Sequence, residues 1–110
     1  AERPVKDLSH GEKRQLEIAM ALAANPRVLL LDEPMAGMGR DETDRMIAVL
    51  KALKGKIAML LIEHDMSAVF QLADRVSVLV YGQIVATGTP DEIRANPIVR
   101  EAYLGAEAMP

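Results

Sequence analysis

The apolar positions divide the chain into alternating helical and extended stretches. From His10 to Ala24, Leu16, Ala19, Met20 and Ala23 recur at helical spacing and predict a helix with one apolar face. Ser9 and Glu12 stand in the S-x-x-E spacing of a capping box at its start, and Asn25-Pro26 closes it. Val28 to Leu31 is an unbroken apolar run ending at Asp32-Glu33-Pro34, the pattern of a strand buried on both faces of a parallel sheet. Met35 to Arg40 reads as a Gly-containing loop, and Asp41 to Lys54 as a second helix with Met46, Ile47, Leu50 and Leu53 on one face. Asp41, Glu42 and Asp44 complement the positive end of that helix, Lys51 and Lys54 its negative end, and Gly55 suits the position just past it.

Ile57 to Ile62 predicts a second buried strand, ending at Glu63-His64-Asp65. A short helix follows over Ser67 to Ala73. Val76 to Tyr81 and Ile84 to Thr87 predict a hairpin turning at Gly82-Gln83. Thr89-Pro90-Asp91-Glu92 combines a cap, an N1 proline and an N3 glutamate, so another helix starts there. A last helix starts at Asn96-Pro97 and ends near Leu104-Gly105, while residues 1–7 read as a polar connector. Strand and helix alternate, which predicts a parallel α/β sheet with a hairpin near its end. Ligands of such sheets sit beyond the carboxyl ends of the strands, so Asp32-Glu33 and His64 should converge on one edge.

Composition changes this picture little. Half of the 110 residues are apolar and 26% are charged, an ordinary balance for a globular domain. A net charge of −3 with no basic cluster gives no footprint for nucleic acid or an anionic membrane surface. No cysteine is present, which removes disulfides and thiolate metal sites. No apolar run approaches the roughly 20 residues of a membrane-spanning helix.

Three motifs carry chemistry. Val28 to Pro34 (VLLLDEP) has the form of a Walker B strand with a following glutamate. A carboxylate fixed at a strand end can hold Mg2+ directly or through water, the role for Asp32, and Glu33 beside it can take a proton from an attacking water. Leu8-Ser9-His10-Gly11-Glu12 places a hydroxyl and free amides at a helix start, where anions are favoured, and Gly11 permits close backbone approach. His64, just past the second strand, can hydrogen-bond a phosphate oxygen and orient water. Each has a plainer alternative: a solvated acidic turn, a capping box opening a surface helix, and a packed histidine at a strand end. Two histidines without cysteine argue against a transition metal, and the carboxylates suit Mg2+.

The order of these motifs, and their spacing, resembles the nucleotide-binding domain of ABC transporters. The stretches LSHGEKRQLEIAMALA, LLLDEPMAGM, LLIEHDM, GTPDEIRANP and VREAYLG are similar to those of ATP-binding subunits of branched-chain amino-acid importers. The resemblance implies the C-terminal part of a P-loop NTPase (RecA-like) core over residues 1–110. Its segments would be a signature helix (8–24), Walker B and D-loop (28–40), a switch-histidine region (57–65), and a C-terminal hairpin with helices (76–105). It further implies ATP and Mg2+ as cofactors and a head-to-tail dimer with a second ABC ATPase subunit, the same or different. In that dimer Ser9, His10, Gly11 and Glu12 would face the partner's ATP, with Ser9 and Gly11 touching its γ-phosphate. Asp32 would serve Mg2+, Glu33 would be the catalytic base, His64 would sense the γ-phosphate, and Gly37, Met38 and Gly39 would form the D-loop. Transmembrane permease subunits would hold the assembly on the cytoplasmic face of the membrane.

Some residues depart from the commonest pattern. His10 stands where most signatures have glycine, Glu12 where most have glutamine, and Gly39 where many D-loops have aspartate. The larger departure is that no G-x-x-x-x-G-K-[ST] occurs: Leu50 stands five residues before Gly55-Lys56, and Ile57 follows the lysine. The phosphate loop, the Q-loop and the adenine platform are expected upstream of Ala1. The isolated chain is therefore expected to be inactive, and to self-associate, by strand exchange for example, or to be marginally stable. The alternatives are a non-catalytic module completing a separate Walker A-bearing chain, and part of a non-transport ABC ATPase.

Overall fold

A computed structural model describes residues 9–104, so Leu8, the polar connector and Gly105 lie outside the described part. The chain divides into two compact units, residues 1–65 and residues 66–110.

The first unit has the order α1 (His10–Ala23), β1 (Val28–Asp32), α2 (Arg40–Leu53), β2 (Ala58–Ile62). The strands pair in parallel, Val28 opposite Ala58 through Asp32 opposite Ile62, so both carboxyl ends open on the same edge. α2 follows its predicted stripe: Met46, Ile47 and Leu50 are buried, and Gly55 takes a left-handed conformation (φ 86°) just past its end. Leu29, Leu31, Met35 and Ile18 complete this core.

Two expectations need correction here. The face of α1 that turns inward carries Gly11 and Ile18, not the Leu16, Ala19, Met20 and Ala23 stripe. Leu16 is 39% and Met20 67% exposed. Gly11 lies against Glu42 of α2, and Ile18 shares a groove with Leu29 and Leu31, so the inner face is set by these neighbours rather than by the longest apolar row. The strands are also not buried on both faces. Leu29 and Leu31 are buried, whereas Val28 (54%), Leu30 (70%), Leu60 (58%) and Ile62 (57%) form an exposed apolar face. Helices cover only one side of this pair among the described residues, and successive side chains of a strand point to opposite sides.

The second unit has α3 (Met66–Leu72), β3 (Val76–Val80), β4 (Gln83–Gly88), α4 (Pro90–Ala95), α5 (Pro97–Val99) and a wider π turn over Arg100–Leu104. β3 and β4 are antiparallel, and Val85 is the extra residue of a bulge between the Val78–Ala86 and Leu79–Ile84 pairs. The hairpin turns one residue earlier than predicted, at Tyr81 (φ 50°) and Gly82 (φ 77°). A two-residue hairpin loop with both central φ angles positive matches the right-handed strand twist, and the second site falls on glycine. Thr89 and Glu92 form the predicted capping box of α4, and Asn96 caps α5 through the amides of Ile98 and Val99. Val78, Ile93 and Val99 form the core, with Phe70, Val76, Val85 and Ala86 packed around them. The Arg94 guanidinium stacks 4.6 Å from the Phe70 ring centre, and the Tyr103 hydroxyl donates to the Leu79 carbonyl.

Candidate functional site

The site grows from the ends of β1 and β2. The Glu33 amide donates to the Ile62 carbonyl at 2.7 Å and extends the parallel pairing one residue past Asp32. Glu33 then adopts φ 46°, a left-handed conformation that costs a non-glycine residue about 1–2 kcal/mol. Strain of this kind persists only where the surroundings enforce it, and it gathers at functional positions. The Glu33 carbonyl accepts from Ala36, and that of Met35 from Met38, so residues 33–38 form two successive turns. Pro34 and Met35 are buried in this stretch, Gly37 is left-handed (φ 77°), and α2 starts after Gly39.

The kink aims the Glu33 carboxylate at the neighbouring strand end. The Nε2 of His64 lies 3.0 Å from Oε1 of Glu33, with both side chains partly open to solvent. Glu63 closes the group from behind. Its Oε1 accepts from the amides of His64 (3.1 Å) and Asp65 (3.4 Å), and its Oε2 from the amide of Met35 (3.4 Å). One ligand atom each of Glu33, Glu63 and His64 lies within 4.8 Å of the others. Asp32 stands outside this trio, exposed on the same face of β1 as Val28 and Leu30. The expected convergence of an acid and an imidazole on one sheet edge is therefore present, through Glu33 and His64. The group can accept a proton from water at Glu33 while His64 fixes the orientation of that carboxylate.

The start of α1 has the predicted capping box. The Ser9 hydroxyl accepts from the Glu12 amide at 3.1 Å, and the Glu12 carboxylate accepts from the Ser9 amide at 3.0 Å. Such a cap stabilises a helix by about 1 kcal/mol. The Gly11 amide donates to Oε2 of Glu42 at 2.7 Å, and the Ser9 hydroxyl lies 3.4 Å from the same oxygen. The His10 ring packs on Gly37: a Cβ there would lie a tight 3.2 Å from it, and the left-handed φ of 77° favours glycine. The start of α1 and the loop before α2 thus touch within one unit. The Arg14 guanidinium reaches the Glu33 carbonyl at 3.5 Å, a second link from α1 to the strand end.

Sequence reasoning missed two residues. Glu42 read only as a helix-end charge, and Glu63 as a neighbour of His64. The bonds from Gly11 to Glu42 and from Met35 to Glu63 span about 30 positions, and no local signal marks them.

Parallel strands that end in carboxylate and histidine, beside a capped helix start, fit part of a P-loop NTPase core, and solved structures share this fold. The chain superimposes on the solved structure of MJ1267, an ATP-binding cassette of an ABC transporter, with a TM-score of 0.81 and 33% identity, covering 94% of this chain and 43% of that one. It also matches cbiO1 of Clostridium perfringens, part of the ABC transporter complex cbiONQ, with a TM-score of 0.77 and 30% identity, over 96% and 43% of the two chains. Residues 1–36 match the ABC transporter family model, and residues 83–109 the model of the branched-chain amino acid ATP-binding cassette transporter. The high-affinity branched-chain amino acid transport ATP-binding protein BraF of Pseudomonas aeruginosa is 44% identical over 107 residues, 96% of this chain and 42% of the relative. LivG of Escherichia coli, with the same description, is 42% identical over the same shares. The lipopolysaccharide export ATP-binding protein LptB of Haemophilus influenzae is 36% identical over 91% of this chain and 42% of the relative.

The likeness of the chain, from both family models and from its relatives, is to ATP-binding cassettes of ABC transporters, and among them to the branched-chain amino-acid type. It spans about 42% of the length of the curated relatives it matches.

Proposed function

We propose that these residues form the signature, Walker B and switch-histidine part of the ATP-hydrolysing subunit of an ABC importer for branched-chain or similar amino acids. The observation that carries this reading is the Glu33–His64 pair, 3.0 Å apart at the carboxyl ends of two parallel strands. In this reading Glu33 takes the proton of the attacking water, and His64 orients Glu33 and contacts the γ-phosphate. Asp32 serves Mg2+, directly or through water. Its exposed position at the end of β1 leaves it accessible to a metal–phosphate group. Ser9 and Gly11 contact the γ-phosphate of ATP held by a second subunit, and His10 and Glu12 complete that signature. Gly37, Met38 and Gly39 link the two sites as the D-loop.

The sequence contains no Walker A motif, so a phosphate loop must come from residues other than these 110. Mg2+ would neutralise charge on the phosphates, and the donors at hand, hard carboxylate oxygens, fit it. Permease subunits would hold the subunit at the cytoplasmic face of the membrane. No helix among the described residues is long and apolar enough to cross it.

The test is Glu33→Gln in a full-length subunit carrying this sequence. Turnover should fall about 10²–10⁴-fold while ATP is still bound. His64→Ala should also cripple turnover. Unchanged hydrolysis in Glu33→Gln would defeat the assignment of the base.

A further inference from the structure

We propose that Glu42 competes with phosphate for the signature end of α1. Its carboxylate holds the two donors that the partner's γ-phosphate needs, and it must leave them for ATP to dock. This rests on the reading of Ser9 and Gly11 as phosphate contacts.

The geometry is specific. Glu42 lies in the first turn of α2, 31 positions from Gly11. One of its oxygens, Oε2, accepts from the Gly11 amide at 2.7 Å and takes the Ser9 hydroxyl at 3.4 Å. The Ser9 oxygen already accepts from the Glu12 amide, so its single hydrogen is free to point to Glu42. A carboxylate at a helix N-terminus gains from both the charge-assisted bond and the helix dipole. Gly11 makes the approach possible: a Cβ there would lie 2.1 Å from Oε2.

An amide has one hydrogen. A phosphate oxygen that takes the Gly11 amide displaces Glu42, and a carboxylate left beside a triphosphate repels it. Glu42 therefore acts as a competitor: it raises the ATP concentration at which the two subunits close.

A clamp and a competitor predict opposite signs. Removal of a clamp weakens ATP binding, whereas removal of a competitor strengthens it. The experiment uses a full-length subunit carrying this sequence with Glu33→Gln, which stops turnover. MgATP-driven dimerisation is followed by light scattering against nucleotide concentration. Glu42→Gln keeps the shape and a neutral acceptor but loses the charge. The half-saturating MgATP concentration should fall about tenfold, the difference between a charged and a neutral hydrogen bond. Glu42→Ala should lower it too, provided its circular dichroism is native. An unchanged or raised half-saturating concentration in a natively folded Glu42→Gln protein overturns the proposal. Should the Glu33→Gln parent, with Glu42 intact, fail to dimerise with MgATP, the phosphate reading of Ser9 and Gly11 fails first and takes the proposal with it.

Discussion

Three isoleucines of the second unit undergo the same substitution in very different surroundings. Ile93 is 1% exposed, Ile98 55% and Ile84 64%. Ile93 sits between Val78 and Val99, with Phe70, Val76, Val85 and Ala86 packed around that cluster. Isoleucine to alanine deletes three carbons, worth about 2.4 kcal/mol at about 0.8 kcal/mol each, and an enclosed site adds a cavity term. Ile93→Ala should therefore cost about 3–4 kcal/mol. At Ile98 and Ile84 over half of the side chain is already in water and no closed cavity forms, so about 1 kcal/mol or less is expected. A unit of about 45 residues has only about 2–7 kcal/mol of stability, so the Ile93 change removes much of it. Urea unfolding followed by circular dichroism reads the result. With a slope of about 1 kcal/mol/M, Ile98→Ala and Ile84→Ala should move the midpoint by up to about 1 M, and Ile93→Ala should lower it by about 3–4 M. If Ile93→Ala proved no costlier than Ile98→Ala, the placement of this core would be wrong.

Two further outcomes follow from exposed groups. Leu30 and Leu60 face each other in register on the open side of β1 and β2, 70% and 58% exposed, so the purified chain should self-associate through that face. The double change of Leu30 and Leu60 to Glu should shift it to monomer in light scattering, and a wild-type monomer at the same concentrations would refute this. Glu92 is held below its usual pKa of 4.5, first by the Thr89 amide and then by the Thr89 hydroxyl, with Arg75 adding to the effect. A lowered folded value means that its contribution is complete above the unfolded pKa and is lost as pH falls through the folded one. The stability gap between wild type and Glu92→Gln should thus be full above the usual carboxylate range and close as pH falls through the lowered folded value, and a gap independent of pH would refute the cap's charge dependence.

The features that sequence revealed are those with local causes. Ser9–Glu12 and Thr89–Glu92 each span three residues, and both capping boxes formed as spaced. The stripe of α2 is buried as its period requires, because Met46, Ile47 and Leu50 have an inner layer to meet. Tyr81 moved the hairpin turn by one position: it takes a positive φ that costs a non-glycine residue about 1–2 kcal/mol, because a two-residue loop with both φ angles positive matches the strand twist. The α1 stripe failed for another reason. Period tells which residues share a face, but not which face finds a neighbour, and here Gly11 and Ile18 found one while Leu16 and Met20 did not.

The same distinction separates the two halves of the candidate site. Glu33 and His64 were legible because each ends an apolar run, and parallel pairing brings such ends together whatever lies between them. Glu42 and Glu63 were not, because what matters is the backbone amide each carboxylate reaches, Gly11 for one and Met35 for the other. A bond to a backbone amide leaves no mark on the identity of the donor residue, except where the approach is too close for a side chain. Gly11 is such a case, for a Cβ there would collide with the Glu42 oxygen. A glycine in the first turn of a helix, with no Cβ in the way, is thus the sequence trace of a carboxylate arriving from another helix. The glycine serves any anion at that amide, which is why the motif alone points to a phosphate and only the structure adds the competitor.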